Sequence, residues 1–389
     1  MDDGFGLNAA GEKQSQQQGG DPQHESNPSE MVENYTPSLP RVWLLCGHKA
    51  GDNAQLLALA QALGWPYEVK RLAYRPYELL VGRFGATLAG IDRRRSDLLV
   101  PPWPDLVLTA GRRNEAVALW IQKQAGKPVR IVHVGRPWAS LARFDLIVTT
   151  PQYRLPARDN VLVNTLPLYD LDRAVLRREA ERWRPRLQVP GPFVTVLLGG
   201  DSGPYLFDTA AARQLARQVS QLAAAQRASL LVTTSARTSA EAVSAFEAAV
   251  TVPMRLHRYG QGDNPYRAFL GLAEAVVVTG DSISMITEAC ASGRPVFLFP
   301  FGYGRWAMRP DAPILPRLPW WHRRRLKAWR SDLALRLAPQ RLRRDIRPMH
   351  RALIDGGHAA WLGETFRRTP PSLPDELART AARVKALLA

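Results

Sequence analysis

From Arg41 to Pro300 the chain alternates between short apolar runs and longer stretches of helical period. Val42–Cys46, Asp105–Thr109, Val129–His133 and Phe144–Val148 predict a first series of strands, with helices over 53–63 and 113–124 among them. A second series predicts strands at Phe193–Leu198, Ser229–Thr233, Met254–His257, Ala275–Thr279 and Pro295–Phe299. Its helices fall near 208–225, 239–250, 265–272 and 283–292. Short runs rich in β-branched residues, alternating with helices, predict parallel sheets covered on both faces. Two such series in tandem predict two α/β domains with a cleft between them, the usual place for a ligand.

Helix-start chemistry supports the division. Asp52–Gln55 and Thr238–Glu241 fit the capping-box pattern, and Asn264-Pro265 offers a cap with proline at the first helical position. The expected domains are 39–170 and 193–303, joined by a linker over 171–192 whose Asp172–Leu187 stretch is polar, helical and rich in arginine. Residues 1–38 carry Gln, Gly, Ser and Pro and predict a disordered tail, because so little apolar surface cannot offset the entropy of ordering. They lack a basic start and an apolar core, so no secretory signal is expected. Residues 304–389 predict a helical extension. There Pro316–Arg330 mixes tryptophans with cations, Arg336, Arg341, Arg343, Arg344, Arg347 and Arg351 follow, and a last helix covers 375–388.

Charge changes the picture. The 389 residues hold 52 Lys+Arg against 35 Asp+Glu, a formal +17, which points to an anionic partner: a phosphorylated substrate, an anionic membrane surface or nucleic acid. No helix-turn-helix, RRM or zinc motif accompanies that charge, which argues against nucleic acid. No run of about 18 apolar residues is free of charge, which argues against a spanning helix. Cys46 and Cys290 have no partners with which to build a disulfide framework, so both are expected to be reduced in a cytosolic protein. The seven histidines show no short ligand spacing, and no metal is expected. No Gly-x-Ser-x-Gly elbow is present, which argues against a serine hydrolase.

Chemistry concentrates in turns that follow predicted strands. The turn Gly47–Asp52 places Asp52 or His48 as a general base, with simple helix capping by Asp52 as the alternative. Its glycine spacing fits neither a Walker A loop nor a dinucleotide fingerprint. Thr109–Asn114 sets Arg112 and Arg113 to hold an acidic substrate, or leaves them as a solvated pair. In Leu198–Gly203, Gly199 and Gly200 allow close backbone approach and Ser202 can donate to a phosphate oxygen; a plain turn is the alternative. Arg237, in Thr233–Thr238, is a diphosphate partner. The segment 276–300 is the most informative: a buried strand, a Gly280-Asp281-Ser282 turn, a helix and a second buried strand. Peptide N–H groups at that helix start suit a phosphate, with Asp281, Ser282 and Ser284 around them and Glu288 placed to meet sugar hydroxyls.

Together these stretches resemble one family, the mitochondrial fission ELM-type (elongated mitochondria) proteins of plants and their bacterial homologues. The matching segments are 47–55, 104–113, 198–201, 233–238, 263–266 and 280–295. The family is similar to GT-B glycosyltransferases, two Rossmann-like domains facing across a cleft, and this implies a nucleotide-sugar donor in the second domain. The resemblance carries over to Ser282 and Ser284 for phosphate and Glu288 for ribose. The basic segment from Pro316 onward departs from it.

Two functions follow. One is a glycosyltransferase that takes a nucleotide-diphosphate sugar as co-substrate, needs no further cofactor, and works on a lipid-linked acceptor. The other is a non-catalytic peripheral membrane adaptor of the same fold, with Trp320, Trp321 and Trp329 beside Arg323, Arg324, Arg325 and Lys327 at a headgroup interface. Either implies a cytoplasmic protein, peripheral at the inner membrane. An epimerase would need a dinucleotide fingerprint and a Tyr-x-x-x-Lys pair, and neither is present.

Overall fold

The computed structural model describes residues 39–75, 85–302, 306–309, 323–337, 343–366 and 370–389. The tail expected over 1–38, and Trp320 and Trp321, lie outside them. Residues 39–389 form one compact unit built on two six-stranded, wholly parallel sheets.

The first sheet runs β2-β1-β3-β4-β5-β6 across its width. Its strands are β1 (Val42–Cys46), β2 (Tyr67–Arg71), β3 (Leu106–Ala110), β4 (Arg130–Val134), β5 (Leu146–Thr149) and β6 (Val161–Val163). Helices α1 (Ala50–Leu63) and α2 (Arg112–Gln124) supply the crossovers around β1 and β3. Leu56, Leu59 and Leu63 of α1 meet Val42, Leu44, Leu106 and Leu108 on one face. Val117, Ala118 and Ile121 of α2 meet Trp43, Leu45 and Val107 on the other. Residues alternate between the two faces along each strand, so β1 and β3, covered on both, are almost wholly apolar, Thr109 being the exception.

The second sheet runs β12-β11-β10-β7-β8-β9. Its members are β7 (Phe193–Leu198), β8 (Ser229–Thr234), β9 (Met254–His257), β10 (Ala275–Thr279), β11 (Val296–Phe299) and β12 (Ala360–Trp361). Counted from β7, this is the doubly wound order 3-2-1-4-5-6 reversed in listing direction, with the switch between β7 and β10. Helices α4 (Thr209–Ala225), α5 (Ala240–Glu247), α6 (Tyr266–Leu272) and α7 (Ile283–Ala291) cover its faces. The expected α/β class with two Rossmann-like domains is what the chain adopts.

The segments outside the two series are more integrated than their polarity implies. The helix of the expected linker, α3 (Arg173–Trp183), buries Leu176, Ala180 and Trp183. It crosses α6 so closely that a Cβ at Gly271 would overlap the Leu176 carbonyl. Past residue 303, helix α8 (Arg323–Leu337) comes first. Helix α9 (Arg347–Asp355) then buries Met349 and Leu353 in the core of the second domain, and β12 pairs in parallel with β11. Helix α10 (Glu376–Lys385) returns to the first domain, where Ala381 and Val384 join the core beneath α1. Glu376 accepts from the Thr165 and Leu166 amides at 2.5 and 3.0 Å and fixes that return.

The halves also meet at a polar seam before α9. Arg154 reaches Asp345 at 2.7 Å, and Arg344 donates to the Gln152 amide oxygen at 2.8 Å. Burial alone would raise the Asp345 carboxyl, but the Arg347 and Arg154 guanidiniums hold it below its usual range.

Candidate functional site

Parallel register aligns the turns that matter. Leu45 pairs with Thr109, so Gly47 lies beside Gly111; Leu197 pairs with Val278, so Gly199 lies beside Gly280. Both pairs flank the switch point of their sheet, where crossovers diverge and leave a crevice.

In the first domain the crevice is a cavity of about 330 Å³. His48, Lys49 and Asp52 line one side, and Arg112, Arg113, Arg136 and Trp138 the other. Helix α1 begins at Ala50 rather than at the expected Asn53. Lys49 is its N-cap, so Asp52 lies in the first turn and is not the capping residue. Asn53 takes the structural duty instead: it accepts from the Gly47 amide at 3.1 Å and donates to the Gly47 carbonyl at 2.8 Å. That leaves the Asp52 carboxylate beside Gly111, where an added Cβ would stand 3.2 Å from Oδ2, with Lys49 3.7 Å away. Gly111, at φ 74°, takes a conformation that strains any other residue.

The cations around this cavity are held by aromatic rings. The Arg112 guanidinium stacks 4.2 Å from the Trp138 ring, and Arg113 lies 5.3 Å from that of Tyr74. Arg113 Nη1 also stands 3.5 Å from His48 Nδ1. Beneath them Asn114 is buried and donates to the carbonyls of Leu45 and Ala110 at 2.6 and 3.1 Å, while Tyr74 bonds its amide oxygen. Glu115 is buried as well and accepts from the Trp138 and Ala139 amides at 2.8 Å each, which seats the Trp138 loop.

In the second domain the expected groups also converge, with a different division of labour. The Gly199 amide donates to Thr279 Oγ1 at 2.7 Å, and the Gly200 amide to Asp281 Oδ2 at 3.1 Å. The two peptide donors expected for a phosphate therefore already have acceptors inside the protein. The glycines serve close packing: a Cβ on Gly199 would overlap Asp281, and one on Gly200 would overlap the Arg237 carbonyl. Arg237 is committed too, 2.7 Å from Asp281 Oδ2 and 3.3 and 3.1 Å from the Gly200 and Asp201 carbonyls. Asp281 is 1% exposed, and its Oδ1 has no hydrogen-bond partner among the described residues. Ser202 turns the chain by exchanging backbone hydrogen bonds with Tyr205, both at 3.0 Å.

Helix α7 keeps its N-terminus open. Its N-cap is Ser282, which makes no side-chain cap bond among the described residues, and Ser284 in the first turn is exposed. First-turn N–H groups have no intrahelical acceptor and carry the positive end of the helix dipole. Farther along, Glu288 is mostly buried against Tyr266. Burial raises its carboxyl above the usual range, while the Tyr266 hydroxyl and Arg267 pull it back. Burial, then the Glu288 charge, drives the Tyr266 phenol up in turn.

The two switch points face one another. A Cβ on Gly51, in the first turn of α1, would lie 3.5 Å from Ser284 Oγ at the start of α7. Asp52 and Ser284, from opposite domains and 232 positions apart in sequence, thus border one groove.

Three residues take roles at the site that the sequence reading did not give them. His350 of α9 is buried and stands 2.7 Å from the Gly280 carbonyl through Nε2, which holds the turn before α7; burial brings its pKa down to about 4. Thr238 turns its hydroxyl to the Leu198 and Gly199 carbonyls at 3.0 and 2.5 Å. The cap of α5 therefore falls to Ser239, one position later than expected. Arg324 of α8 grips both oxygens of Asp201 at 2.7 Å.

Residues 50–310 match the sequence profile of the family described as Mitochondrial fission ELM1. The chain belongs to that family. The mitochondrial fission protein ELM1 of Arabidopsis thaliana is 29% identical over 227 residues, which are 52% of this chain and 53% of the plant protein. The match thus spans about half the length of that relative. An uncharacterized protein of Rickettsia prowazekii, RP120, is 22% identical over 297 residues, 66% of this chain and 82% of that one. Among solved structures, a glycosyltransferase from Rickettsia africae aligns over 90% of this chain and 99% of its own, with TM-score 0.47 and 10% identity. A UDP-GlcNAc 2-epimerase from Methanocaldococcus jannaschii gives 89%, 99%, 0.47 and 9%.

Proposed function

We propose that this ELM1-family chain is a glycosyltransferase that takes a nucleotide-diphosphate sugar in the second domain and an anionic acceptor in the first. The apposition of Gly51 and Ser284 carries this reading, because it brings the open N-terminus of α7 to the carboxylate-bearing turn of α1. The first-turn amides of α7, with Ser282 and Ser284, receive the diphosphate, and Glu288 takes the ribose hydroxyls. In the first domain Arg112, Arg113 and Arg136 draw an acceptor with a phosphate or carboxylate into the cavity.

The chemistry is a displacement at the anomeric carbon. Asp52 removes the acceptor hydroxyl proton, the new C–O bond forms, and the bond from sugar to diphosphate breaks. The negative charge on the departing nucleoside diphosphate is met by the α7 dipole. Asp52 is preferred to His48 as the base because His48 Nδ1 faces Arg113 Nη1 at 3.5 Å, and a guanidinium nitrogen can only donate.

A second reading, the non-catalytic adaptor, is favoured by the internal use of the Gly199 and Gly200 amides and by the pairing of Arg237 with Asp281. Isothermal titration of the full chain with UDP, GDP, ADP and their sugars separates the two. The enzyme requires a diphosphate-dependent heat that falls at least tenfold in Glu288→Gln, and product formation lost in Asp52→Asn. Folded protein that binds no member of the panel would leave the adaptor.

A further inference from the structure

We infer that α8 is an interfacial helix that seats the protein on an anionic lipid bilayer. Four of its five large apolar residues are exposed, Leu326 by 42%, Trp329 by 60%, Leu333 by 39% and Leu337 by 78%, while Leu335 is half-buried. The spacing of the exposed four, by three, four and four residues, puts them on one narrow stripe. The opposite face is bound to the protein. Ala328 is buried, Arg324 grips Asp201 at 2.7 Å through two nitrogens, and Asp332 receives the Trp306 indole N–H at 2.5 Å. A helix with one face fixed and the other apolar and uncovered is built to meet a second phase.

Charge selects that phase. Lys327 and Arg330 border the stripe and, with Leu326, Ser331 and Ala334, line a groove of about 540 Å³ that has room for a headgroup phosphate. The one acid of the helix, Asp332, is turned inward and paired with Arg336 at 2.8 Å. Fifteen residues span about 22 Å, too short to cross a hydrocarbon core of about 30 Å but enough to lie in the interface. Trp329 suits headgroup level, where the indole body is apolar and its N–H is wet. Nucleic acid would use the cations and leave four apolar side chains in water.

The attachment has a direction. Because Arg324 holds the loop of Gly199 and Gly200 through Asp201, the helix that meets lipid also sets the second domain's switch point near the bilayer. This inference stands whether or not the cleft turns over a sugar.

Vesicle flotation of the full chain tests it, with phosphatidylcholine alone against mixtures containing phosphatidylglycerol. Binding is expected only with the anionic lipid and should weaken with added salt. Trp329→Glu combined with Leu333→Glu should lower binding at least tenfold, Lys327→Glu with Arg330→Glu should weaken it and flatten its salt dependence, and Trp329→Phe should retain it. These side chains are exposed, so unchanged thermal midpoints will show that the variants fold. Wild-type protein that ignores anionic vesicles, or a Trp329→Glu/Leu333→Glu variant that binds as well as wild type, would overturn the inference. So would a wild-type dimer that the same variant turns into monomer, because the stripe would then be a contact between copies.

Discussion

Arg237 and Asp281 meet at 2.7 Å across the switch point of the second domain, with the carboxylate sealed from solvent and the guanidinium partly exposed. A cation placed to attract a diphosphate is thereby held by an acid that would repel one. Any nucleotide that uses Arg237 has to draw it off Asp281. Asp281→Asn keeps a carbonyl acceptor for the Gly200 amide while removing the charge. Nucleoside diphosphate affinity should rise about tenfold, which corresponds to about 1.4 kcal/mol; titration calorimetry showing equal or weaker binding would refute the competition.

Gly200 is required by packing rather than by a ligand. A methyl group there would enter the Arg237 carbonyl, a backbone atom that cannot move without shifting the loop. Gly200→Ala should cost about 1–3 kcal/mol, the usual range for overpacking a closed site. Urea unfolding with unchanged slope and a lower midpoint would show it.

Arg324→Ala should unfasten α8 from the second domain. The lost fork to Asp201 is partly buried, with side chains 17% and 26% exposed, and charged hydrogen bonds of this kind are each worth about 1.5–3 kcal/mol. Hydrogen exchange should speed up in 323–337 and in the loop 199–203 together. Faster exchange in the helix alone would mean that the loop does not depend on it.

His350 predicts a pH dependence. Burial brings its folded pKa to about 4, below the unfolded value of about 6.5, so the unfolded chain binds the extra proton first as pH falls. Its neutral form costs nothing above pH 6.5. Stability should decline from there towards pH 4, by about 3 kcal/mol from this residue. His350→Gln removes that titration and retains a side-chain amide that can reach Gly280. Thermal midpoints should fall less steeply between pH 6.5 and 4 in the variant than in wild type.

The centres of both sheets were legible in the sequence because strands buried on both faces leave a continuous apolar signature. The misses cluster at the edges. β2, with Tyr67, Glu68, Lys70 and Arg71, reads as a polar segment; β6 has three residues and β12 two. Edge strands carry polar residues for good reason, and that removes the period-two signal. The site turns were legible for a similar reason: glycine at 47, 111, 199 and 200 marks tight backbone approach. Who occupies the amides was not. Thr279 and Asp281 come from about eighty positions away from Gly199 and Gly200, and His350 from seventy beyond Gly280. Such pairings are created by the strand order and have no local trace.

The return of α10 to the first domain sets the order in which the molecule can be completed. Val384 and Ala381 fill space beneath α1 that no earlier segment occupies. During synthesis from the amino end, the first sheet therefore waits with a gap in its hydrophobic floor until some 220 further residues have emerged after β6. The half that is made first is finished last, and a protease clip just ahead of residue 376 would loosen the domain farthest from the cut in sequence.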